Sequence, residues 1–246
     1  MRRFIIPDPV FADGELTVTG DLFHHMAHVL RLKRGSRICI ADNDGREYAG
    51  VISQVERESI SVVLEEIRTR PEAGTGPAIT LFQGLPKGDK LEFILQKCTE
   101  LGAAGIVPFV AARSVARVPA ARLDEKLKRW RRILVEAARQ SNRREAPDIW
   151  FAGGLSEALA LVDHPLRLLF WEEEEGVTLK KALAGREPPE RVAVIVGPEG
   201  GLTADEVASC VEHGFIPVSL GSRILRTETA GPAILAILQF HWGDMG

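Results

Sequence analysis

The sequence predicts an α/β protein in two parts: a small β-rich domain over residues 1–70, then a larger domain, 71–246, built on a parallel sheet. Three observations carry that prediction. Strand-like segments gather around one short helix before Arg70, a stretch rich in proline and glycine follows, and from Ile79 onward strands alternate with helices. Such alternation buries a parallel sheet beneath helices on both of its faces.

In the first domain, residues 37–41, 47–55 and 59–64 are β-branched or alternate apolar with polar, and Asn43-Asp44-Gly45 offers a hairpin turn. One helix is expected from Asp21, which suits an N-cap, to Leu30. Short strands around a single helix suggest a small barrel. The segment Arg70-Pro71-Glu72-Ala73-Gly74-Thr75-Gly76-Pro77 reads as a linker.

In the second domain a strand is expected at 79–82, followed by a helix on which Leu91, Ile94, Leu95, Cys98 and Leu101 share one face and Gly102 supplies the stop. A strand at 105–109 precedes a basic helix, 123–141, with Trp130, Ile133, Leu134, Ala137 and Ala138 as its buried stripe. Further strands are expected at 166–170, 192–196 and 215–220. Thr203 and Glu206 have the spacing of a capping box for a helix running to His213. An apolar helix, 230–242, closes the pattern. Cys98, Trp130 and Phe93 read as core or near-core side chains.

Composition narrows the function. The 246 residues are 45% hydrophobic, which is ordinary for a globular protein, and no apolar run reaches the roughly 18 residues of a membrane span. The start, Met1-Arg2-Arg3-Phe4-Ile5-Ile6-Pro7, lacks the apolar core and cleavage site of a signal peptide. Three widely separated cysteines argue against a disulfide framework and against a zinc site. A cytoplasmic protein without a metal is expected. Net charge is −3, yet eleven basic residues lie between Arg113 and Arg144 while acids run together at 172–175. Binding reads a patch rather than a sum, so the basic region keeps a polyanion in view.

The sharpest motif is Val194-Ile195-Val196-Gly197-Pro198-Glu199-Gly200-Gly201-Leu202, an apolar strand that enters a glycine loop just before the capped helix. Its glycines allow backbone to approach a ligand, and ligands of open parallel sheets sit beyond the strands' carboxyl ends. A bare strand-to-helix turn explains the motif about equally well. The spacing is not a dinucleotide fingerprint, and Gly84-Leu85-Pro86-Lys87-Gly88-Asp89-Lys90 is not a P-loop. A second loop, Ser219-Leu220-Gly221-Ser222-Arg223-Ile224-Leu225-Arg226-Thr227-Glu228-Thr229-Ala230, also follows a strand. Two such loops side by side form a pocket in which Leu220, Ile224 and Leu225 sandwich a flat ring. Arg226 either reaches from it as a free cation or pairs with Glu228 or Glu199.

These two loops, with Lys87-Gly88-Asp89-Lys90, Gln96-Lys97-Cys98-Thr99-Glu100-Leu101-Gly102 and Glu136-Ala137-Ala138-Arg139-Gln140-Ser141-Asn142-Arg143, resemble the small-subunit ribosomal RNA uridine-N3 methyltransferases of the knotted SPOUT superfamily. Arg3-Phe4 and His25-Met26-Ala27-His28-Val29-Leu30-Arg31 resemble the start of that family, a PUA-like RNA-binding domain. The likeness runs in order through nearly the whole chain. Gly231-Pro232 departs from it, where relatives more often carry helix formers, although a first helical turn accommodates proline. The segment from Trp171 through the acidic run is one in which the family varies.

The resemblance implies a deep trefoil knot, which base rates would exclude, and a homodimer. It also implies S-adenosyl-L-methionine in a pocket made by three loops: the one after 166–170, 197–201 and 220–226. The implied contacts are Leu169, Phe170, Gly197, Pro198, Glu199, Gly200, Gly201, Leu220, Gly221, Ile224, Leu225 and Arg226. The implied reaction is methylation of N3 of a uridine in 16S ribosomal RNA. There Arg226 is the candidate that stabilises charge on the uracil carbonyls as the N3 proton departs. Glu199 is a candidate general base or a carboxylate that holds its loop through backbone amides. His25, His28 and His213 suit packing, RNA contact or a helix end better than catalysis. Arg3, Arg31, Lys87, Arg139, Arg143 and Arg144 are the candidates for RNA phosphates. A non-catalytic RNA-binding protein and a ribose 2′-oxygen methyltransferase are the rival readings.

Overall fold

The computed structural model of the chain describes residues 2–6, 9–12, 14–41, 46–69 and 76–245. By internal contacts the chain divides into two compact units, 1–73 and 74–246. The expected turn at Asn43-Asp44-Gly45 and most of the linker lie outside the described residues.

The first unit holds β1 (Arg2–Ile5), β2 (Phe11–Ala12), β3 (Glu15–Thr19), α1 (Gly20–His24), β4 (Arg37–Ala41), β5 (Arg46–Val55) and β6 (Ser59–Thr69). They form one sheet ordered β1-β4-β5-β6-β3-β2, with β1 parallel to β4 and the other pairs antiparallel. Alternate residues point to one core: Leu16 and Val18, Ile38 and Ile40, Ile60 and Val62, closed by Phe23 and Met26 from the helical segment. That segment departs from expectation at its start. Thr19, rather than Asp21, holds the N-cap position, and Asp21 sits in the first turn, where its charge complements the helix dipole. A π-helical turn, His25–Val29, carries the helix onward.

The second unit begins with β7 (Ala78–Gly84), α2 (Lys90–Glu100), β8 (Gly105–Phe109), α3 (Ala120–Gln140) and β9 (Asp148–Ile149). It continues through α4 (Leu155–Leu159), β10 (Leu166–Phe170), α5 (Leu179–Leu183) and β11 (Arg191–Val196). It closes with α6 (Ala204–Glu212), β12 (Ile216–Val218) and α7 (Thr227–Trp242). The sheet, ordered β12-β10-β11-β7-β8-β9, is parallel throughout.

Side-chain alternation divides its core in two. On one face Ile79, Leu81, Leu168, Phe170, Val192, Val194 and Val196 pack with residues of α2, α3, α5 and α7. On the other, Phe82, Leu169, Ala193 and Ile195 pack with α4 and α6. Period-two geometry therefore turns Leu169 away from its neighbour Phe170.

The expected capping box forms: Glu206 N–H donates to Thr203 Oγ1 at 3.2 Å, and Thr203 N–H donates to Glu206 Oε2 at 2.9 Å. On α3, Trp130, Leu134, Ala137 and Ala138 are buried as expected, whereas Ile133 is only partly so. α7 starts at Thr227 instead of Ala230, so Pro232 falls in its second turn rather than its first. Lacking an N–H, Pro232 cannot donate to the Glu228 carbonyl four residues earlier. Phe93 is corrected as well. It lies off the apolar stripe of α2 and is 48% exposed.

Candidate active site

Four segments meet beyond the carboxyl ends of the parallel strands, the edge at which open sheets bind ligands. They enclose a pocket of about 380 Å³. Phe170, Trp171 and Glu172 come from the end of β10, and Gly197, Pro198, Glu199 and Gly201 from the loop after β11. Leu220, Gly221, Ile224, Leu225 and Arg226 come from the loop after β12, and Lys90 from the start of α2. Pro198 and Leu225, 27 positions apart in sequence, thus face the same cavity.

Local chemistry explains the loop shapes. Gly201 N–H donates to Pro198 O at 2.9 Å, closing a tight turn in which Gly201 takes φ +67°. A side chain there would be strained and would strike the Glu172 carboxylate. At Gly84 a Cβ would lie within 2.6 Å of Pro198 N, so β7 and the loop after β11 can approach only because that residue is glycine.

A buried polar knot fastens the floor. Gln83 Nε2 donates to Thr227 Oγ1 at 2.9 Å and to Gly84 O at 3.0 Å, while Thr227 Oγ1 donates to Gly197 O at 2.7 Å. Gln83 is fully buried and Thr227 nearly so, and Gln83 Oε1 has no hydrogen-bond partner. β7, the loop after β11 and the start of α7 are joined through these two side chains.

Charge gathers at the rim. Glu199 accepts from Lys87 N–H at 3.1 Å and from Lys90 Nζ at 2.8 Å. Burial alone would raise its carboxyl; the Lys90 hydrogen bond, backbone amides of Glu199 and Lys87 and the Lys90 charge outweigh that and hold it below the usual carboxylate range. Lys90 is raised, chiefly by its hydrogen bond to Glu199. Of the two roles open to Glu199 in the sequence, loop-holding is the one these bonds support. Lys90 Nζ also lies 3.3 Å from Glu228 Oε2, an ion-pair distance without hydrogen-bond geometry.

Arg226 is 84% exposed at its side chain and stands 4.0 Å from Glu228 Oε1, so it is a rim cation with a loose partner. Two of the expected contacts lie elsewhere. Leu169 is fully buried in the opposite core layer, as alternation requires. Gly200 faces Arg113, whose Nη1 donates to its carbonyl at 3.1 Å. Trp171, Glu172, Thr227, Glu228 and Lys90 line the pocket without having been singled out for it. The acidic run and the Lys87-Gly88-Asp89-Lys90 segment were visible, but their arrival at one cavity was not.

The basic candidates separate by environment. Arg31, Lys87, Arg139 and Arg144 are exposed, with Arg139 3.9 Å from Glu136. The Arg3 side chain lies outside the described residues. Arg143 is different. Asn142 takes φ +57° after α3, Arg143 N–H returns to Ala138 O at 2.9 Å, and the guanidinium donates to Thr99 O at 2.8 Å. Burial lowers its pKa. Arg143 therefore joins the ends of α2 and α3 rather than standing free for a phosphate.

No group of His, Cys, Asp and Glu among the described residues could hold a metal ion, and no described helix is long and apolar enough to cross a membrane. An RNA methyltransferase domain family matches residues 75–239, and an RNA methyltransferase PUA domain family matches residues 18–65. The ribosomal RNA small subunit methyltransferase E of Bacillus subtilis is 34% identical over 230 residues, covering 92% of this chain and 90% of that protein. That of Synechocystis is 31% identical, covering 95% and 76%. Among solved structures, a ribosomal RNA small subunit methyltransferase E from Neisseria gonorrhoeae bound to S-adenosyl methionine is 30% identical, with a TM-score of 0.75 and full coverage of both chains. With its parallel-sheet unit, its PUA-type unit and relatives matched along almost all of its length, the chain belongs to the ribosomal RNA small subunit methyltransferase E family.

Proposed function

We propose that the protein transfers a methyl group from S-adenosyl-L-methionine to N3 of a uridine in 16S ribosomal RNA. The observation that carries this reading is the single pocket onto which the loops after β10, β11 and β12 all open. Its lining fits the donor's chemistry. Leu220 and Leu225 are apolar walls for an adenine ring, and Glu172 and Glu199 offer carboxylates toward a cationic sulfonium and ammonium. The bound sulfonium would supply a methyl group on a leaving group that departs uncharged.

The chain's own part is to orient and to manage charge. The loop after β11 is held by Lys90 and by the Thr227 hydroxyl, so the pocket is preorganised before a ligand arrives. Alignment of donor and base removes up to roughly 7–11 kcal/mol of barrier. As N3 loses its proton, negative charge spreads to the flanking carbonyl oxygens, and Arg226 at the rim donates to one of them. The same reading assigns residues 1–70 to RNA docking and 71–246 to catalysis, with the trefoil knot forming the pocket loops. The reading assigns Arg3, Arg31, Lys87, Arg139 and Arg144 to RNA phosphates and takes the protein to be cytoplasmic, where a ribosomal substrate is found.

A homodimer completes the reading. A groove of about 450 Å³ on α7 is lined by Leu179, Leu183, Ile237 and Phe240, the last 69% exposed, and it shares Leu220 and Gly221 with the first pocket. That continuity favours a second copy as its occupant.

The test is transfer of labelled methyl to deproteinised small-subunit RNA and to whole subunits, followed by mass mapping of the modified nucleotide. Label on the uracil ring at N3 is expected. Label on a ribose 2′-oxygen would replace the proposal with its rival, and an unlabelled RNA would end it.

A further inference from the structure

The proposed reaction needs a group that recognises uracil and takes its N3 proton, and Glu199 is poorly placed to do so. Both of its carboxylate oxygens are engaged, Oε1 by Lys87 N–H and Lys90 Nζ, Oε2 by Lys87 N–H at 3.3 Å. Glu228 is the opposite case. It lines the pocket with a side chain only 19% exposed, and its Oε2 is shielded from solvent yet makes no hydrogen bond. A largely buried carboxylate that lines a cavity and meets its cations only at ion-pair distance keeps acceptor capacity for a donor on a ligand.

Its neighbours add a pattern. Lys90 Nζ stands 3.3 Å from Oε2 on one side, and Arg226 Nη1 stands 4.0 Å from Oε1 on the other. Read across, the three side chains present donor, acceptor, donor. The edge of uracil that carries N3 presents the complement: a carbonyl oxygen, an N–H and a second carbonyl oxygen. Cytosine does not match, because its N3 carries no hydrogen and its C4 carries an amino group. Lys90 has three N–H donors, so its bond to Glu199 leaves others for the base.

We infer that Lys90, Glu228 and Arg226 read the N3 edge of the target uracil and that Glu228 accepts the N3 proton. This rests on the methyl-transfer reading above. In the step, the N3–H bond breaks and the proton passes to the Glu228 carboxylate. N3 then uses the electron pair left behind to bond the methyl carbon as the carbon–sulfur bond breaks, the pair of that bond staying on sulfur. Lys90 and Arg226 meanwhile hydrogen-bond the two carbonyl oxygens, on which charge builds. The proton leaves Glu228 for water, and the sulfonium's positive charge is balanced by that released proton.

The experiment uses the whole chain and small subunits reconstituted on transcripts. First, the unaltered protein is given subunits with uridine or cytidine at the mapped position. Methylation of uridine alone is expected, and equal N3 methylation of cytidine would overturn the edge reading. Second, Glu228→Gln is compared on transcripts made with uridine and with 5-fluorouridine, whose N3 proton is more acidic. Transfer to uridine should fall by about 10²-fold or more, S-adenosylhomocysteine affinity by calorimetry should stay unchanged, and 5-fluorouridine should recover much of the loss. Glu228→Asp should retain part of the rate. An unchanged rate in Glu228→Gln, or an equal loss on both transcripts, would remove Glu228 from proton transfer. If the unaltered protein binds no S-adenosylhomocysteine and labels no RNA, the methyl-transfer reading itself fails, a result visible before any variant is made.

Discussion

At the scale of the residue, Arg226 and Glu199 separate into different tasks. Arg226 is exposed and loosely partnered, and in the proposed mechanism it serves as a donor to developing charge. Arg226→Ala should lower turnover by about 10²–10³-fold while S-adenosylhomocysteine affinity by calorimetry changes little. Equal losses in both would assign it to donor binding instead. Glu199 is tied into its loop, and its folded pKa is lowered by Lys90 and backbone amides against the effect of burial. A lowered carboxyl stabilises the fold fully above its unfolded pKa, and that contribution fades as pH falls through the folded value. Donor affinity should therefore weaken on the acid side of the usual carboxylate range. In Glu199→Gln that acid-side slope should flatten when affinity is titrated against pH. The sequence made Arg226 and Glu199 visible through their motif. Glu228 was legible as a possible partner of Arg226 and Lys90 as part of the Lys87–Lys90 segment, but their arrival at one cavity was not, since contacts spanning 109 positions, as between Lys90 and Glu199, leave no local signature.

At the scale of the element, what the sequence showed follows from how local each signal is. The capping box of α6 needs only Thr203 and Glu206, and it forms as expected. Thr203→Ala should cost about 0.5–2 kcal/mol, read from the midpoint of denaturant unfolding. It should also slacken the adjoining loop, because Glu206 additionally accepts from Ala112 N–H at 2.8 Å. The apolar stripe of α2 was equally plain, and Phe93 could have been excluded from it, since it stands two positions after Leu91 and so nearly opposite on the helix. β9, α4 and α5 were not foreseen; two to five residues are too few to display a period. α7 was foreseen three residues short. Thr227 and its neighbours look like loop in sequence, but the hydroxyl of Thr227 finds Gly197 O across the chain and helps fix the helix start.

At the scale of the whole molecule, the parallel sheet was legible from alternation of strands and helices, while strand order was not. β7 lies beside β8 and β11, and that arrangement depends on which faces must be covered rather than on any short motif. Phe240 and Ile237 illustrate the same limit, since the apolar pattern of α7 does not say which of its sides meets the sheet. Phe240→Glu should shift the proposed dimer to monomer in sedimentation, with the unfolding midpoint of the chain nearly unchanged because the side chain is already exposed. A dimer that survives the substitution would move the interface elsewhere.

Ser219, Leu220 and Gly221 have a double position, bordering the cavity of the methyl donor on one side and the α7 groove on the other. In the proposed dimer one partition would touch both occupants. Thermodynamic reciprocity then demands that whatever factor the donor adds to self-association, self-association adds to donor affinity. If the proposed dimer forms and that factor exceeds one, dilution of the enzyme loosens its grip on the nucleoside, and saturation with the nucleoside holds the two subunits together at concentrations where they otherwise part.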